Sequence, residues 1–145
     1  MKYRRAVFIV TYKKEKAGIS YLLLKRRLHW KGWEFPKGGV EGKEELKETA
    51  KREVKEETGN IAQNVKEYRI NGKYRYKKKY PDRRGLIGQT YRLFSAEIDG
   101  KKVNVSRKEH SSYKWLDFEK AVKSLRWPDQ KKCLRYVHRK LIKEH

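Results

Sequence analysis

A chain of 145 residues with 40 Lys and Arg against 18 Asp and Glu, a net charge of +22, has room for one domain with a core but not for two. Ten Tyr, four Trp, four Phe and runs such as Ala6-Val7-Phe8-Ile9-Val10 exclude a disordered polyelectrolyte, so we read one folded domain over 1–145 with a heavily charged surface. No apolar run approaches the roughly 20 residues that cross a bilayer, which argues against a membrane partner.

Residues 4–12 are apolar and β-branched and read as a buried strand, 13–18 as a polar turn, and 20–26 as a second strand hairpinned to the first. Residues 29–39 are aromatic and Gly-rich, with Pro36 set to break any regular element. From 43 to 58 the pattern turns helical: Leu46, Ala50 and Val54 fall at i, i+4 and i+8, and Gly59 supplies the stop. Residues 65–76 read as a strand with a turn near Asn71-Gly72. The basic segment 77–84 is either an arm for phosphate or RNA or a solvated loop. Strands follow at 86–98 and 113–116, with a short one at 103–105. Two helices close the chain, about 117–125 and 128–144, the second with proline in its first turn. This order predicts an α/β domain, a mixed sheet covered on its faces by helices.

Arg4-Arg5 lead straight into the first strand without a signal-peptide pattern, and the single Cys133 rules out an internal disulfide framework. Both fit a cytoplasmic protein, with Cys133 an ordinary half-buried thiol. The four histidines, His29, His110, His138 and His145, show no metal-ligand spacing, which speaks against a zinc site.

Charge is unevenly spread. Residues 38–60 hold seven acids and five bases, leaving 35 bases and 11 acids for the rest, an acidic island in a basic chain. Such a surface serves either solubility or attraction of polyanions: nucleotide, polyphosphate or RNA. Within the island, Glu53, Glu56 and Glu57 share one helical face. Three hard oxygen donors suit Mg²⁺ or Mn²⁺, and they also suit a plain acidic face paired with Lys51, Arg52 and Lys55.

The flanking residues favour the metal. Gly38, Glu44, Arg52-Glu53-Val54, Glu56-Glu57 and Gly59 stand at the spacing of the Nudix box, and the segment resembles that of the Nudix hydrolases. The last box position is Asn60, normally aliphatic, with Ile61 one step later. The resemblance implies an α/β/α sandwich with a loop–helix–loop motif. It also implies metal ligation by Glu53, Glu56, Glu57 and the backbone of Gly38. Arg52 would orient a glutamate, and Glu44 would hold the loop onto the helix. The general base is then a box glutamate or one on a distant loop, for which Glu109 is the outside candidate.

Trp33-Glu34-Phe35-Pro36-Lys37-Gly38, with the run 109–116, is similar to diadenosine tetraphosphate hydrolases, in which Lys37 would contact phosphate. Leu86-Ile87-Gly88-Gln89 resembles RNA 5′-pyrophosphohydrolases, where Arg4 and Arg26 would bind phosphate. The expected reaction is therefore Mg²⁺-dependent cleavage of a dinucleoside tetraphosphate to ATP and AMP. The alternatives are removal of pyrophosphate from 5′-triphosphorylated RNA, or a non-catalytic RNA- or nucleotide-binding module on the same scaffold. Tyr91 and Trp127 could stack a base or pack in the core, and monomer and homodimer stay open.

Overall fold

The computed structural model describes residues 2–28 and 31–144. His29, with the start of the 29–39 segment, and His145 lie outside the described residues. Strands β1 (Lys2–Glu15) and β2 (Gly18–Arg26) form the expected hairpin, with Tyr12 opposite Tyr21 and Glu15 opposite Gly18. Farther from the turn the two strands part. β1 takes β4 (Lys37–Gly39) at Ala6, Val7 and Phe8, while β2 takes β3 (Gly32–Glu34) at Leu24, Lys25 and Arg26. Pro36 breaks the 32–39 segment into two short strands that fill the fork, and its carbonyl accepts from the Ile9 amide at 2.9 Å. The fork carries Glu34 on one prong and Lys37 and Gly38 on the other.

Beyond β1 lie β6 (Leu86–Glu97), parallel to it, and β5 (Gln63–Arg75), antiparallel to β6; β7 (His110–Leu116) covers the far side of β2. The order β3-β2-β1-β6-β5, with β4 on β1 and β7 on β2, makes a mixed sheet. Alternation along β1 divides the core. Val7 and Ile9 face Ala50 and Val54 of α1 (Leu46–Thr58), with Leu22 and Leu24. Phe8, Val10 and Tyr12 face Ala121 of α2 (Phe118–Ser124) and Leu134, Val137 and Leu141 of α3 (Pro128–Glu144). Helices on both faces give the expected α/β/α sandwich, each buried Val, Leu or Phe stabilising it by about 1.5–3 kcal/mol. No helix among the described residues is long and apolar enough to cross a membrane.

Five local expectations change. The 13–18 turn closes to Lys16 and Ala17, because the β1–β2 ladder continues through Lys13, Lys14 and Glu15. Helix α1 starts at Leu46, not at 43, because Glu45 is extended and acts as its N-cap, with Glu48 accepting from the Glu45 amide at 3.1 Å. Its end is as read: Gly59 is left-handed at φ 76° and donates to the Lys55 carbonyl at 2.9 Å. β5 does not turn at Asn71-Gly72. Its extra residues between Glu67 and Asn71 form a bulge, and a Cβ on Gly72 would lie 1.9 Å from the Tyr91 ring across the ladder. Residues 103–105 are not a strand; the Asn104 amide donates to Thr58 at the end of α1 at 2.9 Å. β7 begins at His110, three residues earlier than read from the sequence.

Candidate active site

Glycine explains how α1 meets the fork. A Cβ on Gly38 would sit 2.0 Å from Glu53 Cδ, so only glycine lets that carboxylate lie against β4. Arg52 orders the acids around it. Its Nε donates to Glu44 Oε2 at 2.7 Å, its Nη1 to Glu53 at 2.7 Å and Glu56 at 3.1 Å, and its Nη2 to the Gly39 carbonyl at 2.8 Å. One planar guanidinium thus fixes helix, loop and strand together. Glu44 binds back to the Glu41 amide and Thr49, so it does hold the loop to the helix. Asn60 replaces the usual aliphatic anchor with polar ties: its side chain donates to the Lys102 and Thr58 carbonyls and accepts from the Gly100 amide.

The three box acids are not equivalent. Glu53 and Glu57 are buried, whereas Glu56 is exposed. Burial, with Glu56 and Glu109 nearby, pushes the Glu53 carboxyl up to about 7 despite Arg52. Burial beside Glu53, Glu34 and Glu109 holds Glu57 well above the usual carboxylate range. Two buried acids that resist ionisation together form a receptive place for a divalent cation.

Behind them lies a second buried set that the sequence reading did not assemble. Glu34, wholly buried, accepts from Arg26 Nη1 at 3.2 Å and bonds His110 Nε2 at 2.7 Å; Lys37 Nζ lies 3.4 Å from its other oxygen. Burial alone would raise the Glu34 carboxyl, but Lys37, His110 and Arg26 bring it down to about 2. His110 Nδ1 faces Glu57 Oε1 at 3.9 Å, and among the described residues neither atom has a hydrogen-bond partner. Glu57, Glu109 and His110 each offer a ligand atom, all within 4.8 Å of one another, and could hold a metal ion. Spacing along the chain did not single out His110 as a metal-site residue; it reaches the cluster through the fold, from the start of β7, with only its place beside Glu109 as a signal.

A cavity of about 640 Å³ opens beside this centre. Lys37 and Arg26 belong to both, and Tyr74, Tyr76, Tyr91 and Trp127 wall the cavity. The 77–84 segment joins that wall. It carries a 3₁₀ turn at Pro81–Arg83, and Arg83 lies 5.2 Å over the Tyr76 ring, while Lys77, Lys78, Lys79 and Arg84 are exposed.

The other expected residues divide. Tyr91 lines the cavity and packs 5.7 Å from the Phe8 ring. The Lys37 amide donates to Glu57 Oε2 at 3.1 Å. Arg4 is half-buried against Gly39, bonded to Gln89 at 3.1 Å, with Glu53 and Glu109 among the charges that act on it. Arg26 is buried rather than open, its Nη1 shared between Glu34 and Glu109 at 3.2 and 3.3 Å. Cys133 is fully rather than half buried, in the α3 core, and burial pushes its thiol up to about 11.

The profile of the NUDIX domain matches residues 2–137. A bis(5′-nucleosyl)-tetraphosphatase of Mus musculus is 31% identical over 126 residues, covering 87% of this chain and 83% of that one. An RNA pyrophosphohydrolase of Coxiella burnetii is 34% identical over 98 residues, 59% of this chain; the chain spans only 43% of that relative's length. Among solved structures, the C. elegans Ap4A hydrolase binary complex superposes with a TM-score of 0.77 at 25% identity, covering 96% of this chain and 98% of that one. The fork, the glutamate helix seated on Gly38 and these matches agree: the chain belongs to the NUDIX family.

Proposed function

We propose that the protein is a divalent-metal-dependent hydrolase that cleaves the phosphoanhydride chain of a dinucleoside polyphosphate, diadenosine tetraphosphate to ATP and AMP. The observation that carries this reading is the adjacency of two buried acids, Glu53 and Glu57, to a cavity walled by aromatic rings and cations, with Lys37 common to both. The mouse and C. elegans relatives, by their names, support the tetraphosphate.

Glu53, Glu56, Glu57 and the Gly38 carbonyl would hold the cation, Mg²⁺ with Mn²⁺ as a substitute, which would supply charge neutralisation for phosphate oxygens and acidify a water. Arg52 keeps Glu53 and Glu56 in place. Lys37 and Arg4 draw the polyphosphate toward the acids, and Arg26 acts beside them from the cavity wall. Tyr91 and Trp127 flank a base, a contact worth roughly 1–3 kcal/mol. Glu109, with its carboxylate 3.3 Å from Arg26 and one third exposed, is reachable by water and accepts the proton as the water attacks phosphorus. The oxygen of the broken anhydride leaves on the other nucleotide, so one water adds across the bond and two nucleotides are released.

A second reading is removal of pyrophosphate from 5′-triphosphorylated RNA. It is favoured by the cations Lys77, Lys78, Arg83 and Arg126 along the cavity and by the net charge of +22. A substrate panel with product identification in Mg²⁺ and in Mn²⁺ separates the two. The first reading expects ATP plus AMP from the dinucleotide and slow turnover of RNA ends; the reverse preference replaces it with the second. Salt-sensitive RNA binding with no hydrolysis of any phosphoanhydride would leave only a binding module.

A further inference from the structure

The Glu34–His110–Glu57 line asks for something between its last two members. Glu34 is wholly buried and tied down at both oxygens, with Arg26 Nη1 3.2 Å from one and Lys37 Nζ 3.4 Å from the other. With Nε2 engaged 2.7 Å from Glu34, Nδ1 is the ring nitrogen left to face the cluster. It is completely buried and aims at Glu57 Oε1, also buried, 3.9 Å away, and among the described residues neither atom has a hydrogen-bond partner. A buried ring nitrogen and a buried carboxyl oxygen left without a hydrogen bond are costly, and a ligand held between them would remove that cost. A histidine oriented by a carboxylate on its far nitrogen is the usual support of a metal-ligating imidazole.

We propose that His110 Nδ1 is a metal ligand beside Glu57 Oε1, so that the centre is a mixed nitrogen–oxygen site reaching inward from the glutamate helix. Glu34 is then a positioning residue that fixes the aim of the ring. Glu109, its carboxylate within 4.8 Å of the other two donors, faces the same point. A nitrogen donor shifts preference away from Mg²⁺ toward Mn²⁺, Co²⁺ and other transition ions. The inference rests on the metal-dependent reading above.

The test uses spectroscopy of the full chain loaded with Mn²⁺ alone. Pulsed electron paramagnetic resonance should show ¹⁴N coupling at the bound ion, replaced by ¹⁵N coupling when the protein is labelled with ¹⁵N-histidine. His110→Gln should lose that coupling and bind Mn²⁺ on the order of tenfold more weakly, while Mg²⁺ affinity falls less. Should the variant fail to fold, ¹⁵N-histidine labelling of a chain with His29, His138 and His145 replaced, which leaves His110 the one labelled ring, still decides. Bound Mn²⁺ without nitrogen coupling overturns this inference and leaves the hydrolase reading standing. Coupling that survives in folded His110→Gln overturns it as well, and no bound Mn²⁺ at all overturns both.

Discussion

Glu53 makes the metal-free protein sensitive to pH in a direction opposite to most acids. Its carboxyl sits at about 7 in the folded chain, against an ordinary 4.5, because burial outweighs Arg52. Between those values the folded state holds a proton that the unfolded state has lost, so stability is greatest below 4.5 and falls as pH rises through 7. At about 1.4 kcal/mol per pH unit the full difference is roughly 3 kcal/mol, of which about 2.5 kcal/mol falls between pH 5 and pH 8. Glu34 does not blur this window. Its depressed carboxyl, at about 2, gives stability that is present above 4.5 and lost only as pH falls toward 2. Urea unfolding in chelator at about pH 5 and about pH 8 measures the loss. Glu53→Gln should reduce it by about 2.5 kcal/mol, and saturating Mg²⁺ should restore stability to the wild type at about pH 8, by about 2.7 kcal/mol at a hundredfold excess over Kd. Equal pH dependence in wild type and Glu53→Gln would refute the reasoning.

Gly38→Ala should keep the circular-dichroism spectrum of the wild type yet weaken metal binding about 10- to 100-fold by calorimetry, because the new Cβ would occupy the place of Glu53 Cδ. Arg52→Ala, which removes the ties to Glu44, Glu53, Glu56 and Gly39, should lower unfolding stability by about 2–4 kcal/mol, with Arg52→Lys recovering only part of it. Trp127→Ala should raise KM for the dinucleotide by roughly 5- to 100-fold with little change in kcat, the mark of a lost base contact; an unchanged KM would assign the ring to packing alone.

Much of this was readable in the sequence because it is local. A helix repeats every 3.6 residues, so Leu46, Ala50 and Val54 mark the buried stripe, and Glu53 and Glu57 follow on its flank. What lay beyond reach depends on partners distant along the chain. Asn71-Gly72 has the form of a tight turn, yet the glycine is there for the Tyr91 ring on the neighbouring strand. Glu34 looked like one acid between two aromatics in 32–39. It becomes the centre of the site only when β2 brings Arg26 and β7 brings His110. Arg26 shows the same limit: its charge was evident, and the fact that acids of this chain occupy it was not.

The central claim is that acids buried beside the cavity cleave phosphoanhydrides. It is tested most directly by incubating diadenosine tetraphosphate with wild type and Glu57→Gln in Mg²⁺ and resolving the products by chromatography. The wild type should give equal amounts of ATP and AMP, none after chelation, and the variant should lose most of the rate. Undiminished turnover by folded Glu57→Gln, or no metal-dependent cleavage of any phosphoanhydride by the wild type, would contradict it.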